Sequence, residues 1–367
     1  MLPRETQDAV MRLLHHRTAG LAPGAPVAEP LVATSTYRLG EAPDEDALYG
    51  RYGGPNWTGA EGRLGALEGA EAILFGAGMG AIAGVMLALL RAGDRVVLPS
   101  DGYFHSRVLA GEVLAPLGVV AAEVATRDLA RADLAGARLV MCETPSNPGL
   151  DLVDLPALAR RARAAGARLV VDNTLPTALL QSPLDLGADV VVASDTKAPG
   201  GHSDLILGHA ATRDADLAAR IRAVRKFAGL VPGPFEAWML SRSLETLELR
   251  LARMCANADA VGEALAEAGL GVRHPGRADH PQAALAARQM RHGGFVLGVD
   301  LGGAEAAARF REAAGLLDAT SFGATHTSAD RRARWGDTVP AGFLRVSCGI
   351  EPTEPLVASI RRGIAAL

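Results

Sequence analysis

The chain has 367 residues, 49% hydrophobic, 21% charged and 4% aromatic, with 42 Gly and 21 Pro. At ~150 residues per domain this length predicts roughly two domains with a substantial core, and the composition excludes a disordered or collagenous chain. A formal net charge of −4 points away from a nucleic-acid groove or an anionic membrane surface, and the nine His show no metal-site spacing. Cys142, Cys255 and Cys348 are too few and too scattered for a disulfide framework. Met1 to Glu5 opens no signal peptide, and the longest apolar run, Ala77 to Leu90, falls short of the ~18 residues of a membrane span. The expectation is a soluble cytoplasmic protein without metal, nucleic-acid or membrane partner.

Before about residue 60 the chain is turn-rich (Pro23, Pro26, Pro30, Gly40, Pro43) and reads as extended. From about 60 to 210, short β-branched runs alternate with helical stretches. The predicted strands are Ala72–Phe75, Arg95–Leu98, Val119–Val124, Arg138–Cys142, Arg168–Val171, Val190–Ala193 and Leu205–Ala210. The predicted helices between them are Gly80–Arg91, Phe104–Ala115 and Leu155–Ala165. Such alternation implies βαβ units and an α/β fold with a largely parallel sheet, whose ligands bind at the carboxyl ends of the strands. Pro232-Gly233-Pro234 then breaks the chain, and one long helix is predicted from about Phe235 to Gly269. Strands at Phe295–Leu301 and Phe343–Cys348 belong to a smaller α/β region.

Of 37 basic residues only Lys197 and Lys226 are lysines, so 37 − 2 = 35 are Arg. A lysine kept in such a chain is a candidate for chemistry that guanidinium cannot do, since a buried amine can lose its proton and attack a carbonyl. Lys226 lies in the basic run Arg222 to Lys226, which reads as a solvated helix face. Lys197 ends the apolar run from Asp189 and precedes Ala-Pro-Gly-Gly-His. Three further features flank predicted strand ends. Gly76-Ala77-Gly78-Met79-Gly80 can expose backbone N–H groups to a phosphate; with Asp101 it also fits a loose dinucleotide fingerprint. Asp172 ends the run Val170-Val171, and Ser194 and Thr196 flank Lys197 with hydroxyls. A dehydrogenase reading uses the glycines and Asp101 but leaves Lys197 and Asp172 idle. Pyridoxal 5′-phosphate (PLP) uses all of them: the amine forms the Schiff base, Asp172 keeps the pyridine nitrogen protonated and the glycine turn holds the phosphate.

The motifs resemble those of the Cys/Met-metabolism family of PLP enzymes, which includes cystathionine γ-lyase, cystathionine β-lyase, cystathionine γ-synthase and methionine γ-lyase. Leu67-Glu68-Gly69-Ala70 with Phe75 to Met79 is similar to the LEG…SSGM segment, and Glu143 to Pro148 to ETPSNP. Val171 to Thr174 matches VDNT, and Ser194 to Lys197 with Gly201 to Asp204 matches S-x-TK…GHSD. The resemblance implies fold type I of the PLP-dependent transferases, with a mostly parallel seven-stranded sheet and a smaller C-terminal α/β domain. The implied division is an N-terminal arm at 1–58 that serves a neighbouring site, a PLP-binding domain at 59–230 and a C-terminal domain at 231–367.

By the same resemblance, Lys197 binds PLP and later moves protons, Asp172 pairs with the ring nitrogen, and Asn147 contacts the ring hydroxyl and the substrate. Tyr103 stacks on the ring; Gly78, Met79, Ser194 and Thr196 hold the phosphate. Tyr49 and Arg51 reach the phosphate from a neighbouring subunit of a homotetramer built from two active-site-sharing dimers, while Arg345 and Ser321 take the substrate carboxylate. The implied substrate is a small sulfur amino acid and the implied reaction γ-elimination of cystathionine. The sequence departs from the family pattern at Ala77, at Ala198, at Phe104-His105 and at Thr320, where many γ-acting members carry Glu. Glu41, Asp44, Glu45 and Asp46 are candidates for meeting a distal substrate amine.

Overall fold

The fold was analysed in a computed structural model, which describes residues 4–41 and 49–367; Asp44, Glu45 and Asp46 therefore lie outside the described residues, and Glu41 is exposed. Seven strands, β1 (Glu71–Phe75), β2 (Arg95–Pro99), β3 (Val120–Val124), β4 (Ala137–Glu143), β5 (Arg168–Asp172), β6 (Val190–Ala193) and β7 (Gly208–Thr212), form one sheet in the order β1-β7-β6-β5-β4-β2-β3. Strands β2 to β6 pair in parallel, and β7 is antiparallel to both of its neighbours. Because β7 reverses direction between them, β1 points the same way as β6. The β-branched runs of β5, β6 and their neighbours are buried on both faces, as a sheet sandwiched between helices requires.

Helices α1 (Arg4–His15) and α2 (Pro55–Glu68) precede β1, and α3 (Gly78–Leu89) follows it. On one face of the sheet, α3 and the helix Ala215–Ala228 bury Ile82, Val85, Met86 and Ile221 against Ile73, Phe75, Val190 and Val192. On the other, the helix Leu155–Ala164 packs Leu158 and Ala162 against Val97, Val140 and Val171. A second, antiparallel sheet, β8 (Val272–Arg273), β9 (Val296–Asp300), β10 (Ser328–Arg331) and β11 (Phe343–Ser347), has the order β10-β11-β9-β8. Three helices, Leu247–Glu267, Ala304–Ala314 and Thr353–Ala365, cover it around Phe310, Leu297 and Ile360.

The differences from the sequence expectation have local causes. The first sixty residues are not extended throughout, because Ala9 and Leu13 give α1 a buried stripe that docks on α2. The strand expected at Leu205–Ala210 starts later, at Gly208. Before it, Leu207 pairs with Thr196, whose backbone N–H donates to Leu207 O (3.2 Å) and whose hydroxyl accepts from Leu207 N (3.1 Å). The long helix predicted from Phe235 is two helices, Pro234–Leu244 and Leu247–Glu267. They part where both the N–H and the hydroxyl of Thr246 turn back onto the Ser243 carbonyl, a side-chain-to-backbone competition typical of Thr.

Docking of α1 is testable. Leu13 is buried in one cluster with Trp57, Leu64 and Leu244. Leu13→Ala is expected to cost about 2–5 kcal/mol, read as a lower urea midpoint; an unchanged midpoint would mean that α1 is undocked in solution.

Candidate active site

The site lies where the parallel strands end. Glu143 closes β4, Asp172 closes β5, and Ser194 to Lys197 follows β6, so three adjacent carboxyl ends deliver chemistry to one edge. Glu143 stands opposite Asp172, and Asp172 opposite Val192, in the strand register. At the same edge β1 hands over to α3, whose first residues are Gly78 and Met79.

Lys197 Nζ donates to Ser321 Oγ at 2.8 Å and lies 5.4 Å from the Phe322 ring centre. The Arg345 guanidinium approaches the same loop: Nη2 donates to the Ser321 carbonyl (2.7 Å) and Nη1 to Asn147 Oδ1 (2.6 Å), with its carbon 5.1 Å from the Phe322 ring centre. Ser321 thus joins the two cations, its hydroxyl to the amine and its carbonyl to the guanidinium. It holds φ +74°, a left-handed conformation that a serine keeps only when its surroundings enforce it.

These cations are short of solvent. Burial lowers the Lys197 amine to about 8, with Arg345 pushing the same way and Asp172 opposing. Burial likewise lowers Arg345 to about 10, helped by Arg332 and opposed by Asp330. Asp330, the cross-strand partner of Arg345, is itself buried; it lies 3.5 Å from Nη2 and accepts from Arg332, Arg334 and Trp335 Nε1.

The two carboxylates at the sheet edge divide their roles. Burial and the charge of Asp172 push Glu143 well above the carboxylate range, although it accepts the backbone N–H of Tyr103 at 2.6 Å. Burial also raises Asp172, but the Thr174 N–H (3.0 Å), Lys197 and His209 favour its ionised form. Both carboxyls are pushed towards protonation, Glu143 further, while Asp172 has the Thr174 N–H and two cations that oppose the shift. Tyr103 is 37% exposed, and its hydroxyl is raised by burial and by these two acids.

The phosphate-side residues are brought together only in part. A Cβ on Gly78 would come within 2.7 Å of Ser194 Cβ, so a glycine lets α3 begin directly against Ser194. Ala77, which precedes α3, supplies no side-chain cap, leaving the first N–H groups of the helix for an anion. Thr196 is different, since its hydroxyl donates to Leu207 O at 3.1 Å. Tyr49 and Arg51 lie elsewhere: Arg51 packs on the rings of Tyr49 and Tyr52 and donates to the Lys226 carbonyl at 3.2 Å. Lys226 is not simply solvated, because its ammonium sits 3.8 Å from the Tyr52 ring centre. Asp101, the carboxylate of the dehydrogenase reading, is occupied by the N–H and hydroxyl of Thr126.

The roles of Glu143, Asp330 and Phe322 were missed in the sequence. Glu143 opens the ETPSNP match, which was a signal that could have been used; Asp330 becomes meaningful only through its cross-strand register with Arg345.

The chain matches the model of the Cys/Met metabolism PLP-dependent enzyme family over residues 15–365. It is 43% identical to a Streptomyces coelicolor protein provisionally named a cystathionine gamma-lyase, over 91% of this chain and 87% of that one. It is 34% identical to an L-methionine gamma-lyase of Pseudomonas deceptionensis, over 97% of both chains. Among solved structures, cystathionine gamma synthase from Xanthomonas oryzae pv. oryzae in complex with aminoacrylate and cysteine superposes with TM-score 0.91 at 34% identity, covering 100% of this chain and 99% of that one. The architecture is therefore that of the fold-type-I PLP enzymes, and the chain belongs to the Cys/Met metabolism family, with pyridoxal 5′-phosphate as its cofactor. The site's own features fit that group: an uncapped helix start for an anion, a carboxylate whose ionised form Lys197 and His209 favour, a low-pKa amine, and a buried Arg345 Nε with no hydrogen-bond partner among the described residues.

With the Lys197 amine at about 8, its acylation in the cofactor-stripped full chain should rise steeply between pH 7 and 9, as the proton that blocks attack leaves. An ordinary lysine near ~10.4 would still be almost wholly protonated there. Mass spectrometry resolves Lys197 from Lys226, and a Lys197 midpoint above 10 would contradict the environment described.

Proposed function

We propose that the chain is a carbon–sulfur lyase that cleaves L-cystathionine by γ-elimination, with water, to cysteine, 2-oxobutyrate and ammonia. The observation that carries this reading is the meeting of Lys197 and Arg345 on Ser321. A guanidinium fork suits a carboxylate, so an amino acid whose α-carboxylate rests on Arg345 presents its α-carbon beside the Lys197 amine. The match to the Cys/Met metabolism family and the 43% identity to a chain named for this activity point the same way.

In this proposal Lys197 would hold PLP through its amine, and the free Nζ, about half unprotonated at pH 8, would accept the substrate α-proton. When bound, PLP supplies an electron sink for the charge that develops at the substrate α-carbon. Asp172 would pair with the ring nitrogen, Asn147 would contact the ring hydroxyl while bonded to Arg345, and Tyr103 would stack on the ring. Gly78, Met79, Ser194 and Thr196 would hold the phosphate, Thr196 by turning its hydroxyl proton from the Leu207 carbonyl to a phosphate oxygen. Tyr49 and Arg51 complete the phosphate site of a neighbouring subunit in a cytoplasmic homotetramer. No helix among the described residues is long and apolar enough to cross a membrane, which is compatible with that placement.

Product identification tests the reaction. Cystathionine should yield 2-oxobutyrate, and Lys197→Ala should bring turnover below detection with the circular dichroism spectrum unchanged. A dominant pyruvate yield would make the enzyme a β-lyase, formation of cystathionine from an O-acylhomoserine and cysteine a synthase, and a strong preference for methionine a methionine γ-lyase. Arg345→Ala should raise KM for every amino-acid substrate, by a loss of about 2–5 kcal/mol, since it strands a desolvated carboxylate. An effect confined to one substrate would remove Arg345 from the α-carboxylate.

A further inference from the structure

Directly beneath the Lys197 segment lies a charged group that the proposed chemistry does not use. His209, on β7, is buried between two buried acids. Its Nδ1 is 2.9 and 3.0 Å from the two oxygens of Asp195, and its Nε2 is 3.4 Å from Glu68 Oε1. Asp195 is 0% exposed and sits between Ser194 and Thr196, two positions before the amine. It is also the variable position of the S-x-TK match. An unpaired carboxylate there would be costly, and each acid accepts from one edge of a single imidazole. A doubly protonated ring can donate to both acids, and the imidazole is raised to about 10, the two acids outweighing the burial that opposes the charge.

We infer that Glu68, His209 and Asp195 form a buried ionic clamp in which His209 acts as a positioning residue, fixing the segment from Ser194 to Lys197 and supporting the ionised form of Asp172. Three elements meet in the clamp: the end of α2 brings Glu68, β7 brings His209, and the turn after β6 brings Asp195. On the far side of the same segment, Arg250 donates to the carbonyls of Ala198 (2.6 Å) and Pro199 (3.1 Å). The lysine is therefore held from both sides by buried cations that grip its neighbours and leave the amine free to move. The charged groups around the clamp are Asp172, which His209 favours in its ionised form, then Lys197 and Glu143, both in electrostatic contact with Asp172. Losing the imidazolium would leave two buried carboxylates uncompensated and remove positive charge from the neighbourhood of Asp172.

The inference rests on Lys197 as the cofactor-binding amine, and the experiment separates the two. His209→Gln and Asp195→Asn holoenzymes are compared with wild type by the pH midpoint of the visible band of the bound cofactor, by kcat and KM for cystathionine, and, after cofactor removal, by the Lys197 to Lys226 acylation ratio. His209→Gln should move the band midpoint upward by at least half a pH unit, lower kcat about tenfold and change KM less than twofold, with Asp195→Asn smaller in the same direction. Should His209→Gln fail to fold, the triple variant Glu68→Gln/Asp195→Asn/His209→Gln takes its place, since it leaves no carboxylate unpaired. A lowered kcat with a displaced acylation ratio in that variant supports the clamp. A folded His209→Gln or triple variant with wild-type band midpoint, acylation ratio and kcat overturns it. If wild-type protein binds PLP without a visible band, Lys197 as the cofactor amine fails, while the acylation ratio still decides the clamp.

Discussion

Two cations side by side, Arg345 buried and Lys197 half-buried, set the terms for the rest of this site. Lys197 and Arg345 share Ser321 and flank Phe322; burial loosens the hold of both on their protons, and the Arg345 charge loosens that of Lys197 further. For Arg345 this changes little, because a guanidinium at about 10 is still charged at neutral pH. For Lys197 it decides the chemistry, since an amine at about 8 can be both a nucleophile and a proton carrier near neutrality. The fold tolerates the repulsion by placing one buried acid behind each cation, Asp172 at the end of β5 and Asp330 across the strand pair from Arg345. A substrate carboxylate arriving at Arg345 would add a negative charge where the structure is short of one.

The acids themselves need management, because Asp172 has Glu143 beside it in the next strand. Two adjacent buried carboxyls cannot both ionise cheaply. The structure pushes Glu143 further towards its protonated form and surrounds Asp172 with Lys197, His209 and the Thr174 N–H, which favour its ionised form. Asp330 is managed differently: it carries Arg332, Arg334 and the indole of Trp335 as well as Arg345. It thus acts as a hub that orients the guanidinium without neutralising it alone.

The large sheet and the site at its carboxyl edge were legible in the sequence because both follow from local patterns. Buried parallel strands must be β-branched runs, and residues at strand ends fall on one edge whatever the loops do. The scarcity of lysine singled out Lys197, and Asp172 followed from its place after Val171. Contacts that depend on register or on distant elements were not legible. Asp330 faces Arg345 only because β10 and β11 pair as they do, and His209 meets Glu68 across 141 positions of sequence. Helix α1 was obscured by the prolines that follow it, and the break at Thr246 by a helical periodicity that runs through it.

The phosphate end is less complete within one chain than the amine end, and charge accounting explains where completion would come from. A phosphate brings nearly two negative charges at neutral pH. Against it the chain sets the uncapped start of α3, worth about half a positive charge, and the Ser194 hydroxyl. The Thr196 hydroxyl proton is committed to Leu207, and Ala77 offers no hydroxyl. Among the described residues no Arg or Lys side chain hydrogen-bonds to Ser194, Thr196 or the backbone of Gly78 and Met79. In the proposed reading the Lys197 amine is committed to the chemistry and does not fill the gap. Arg51 has a charge to give and no carboxylate partner among the described residues; it lies against Tyr49, Tyr52 and the Lys226 carbonyl rather than at its own chain's Lys197. In the proposed reading, an anion left short of cations in each chain and a guanidinium left short of anions are complementary deficits, which an exchange of Arg51 between two chains would meet together.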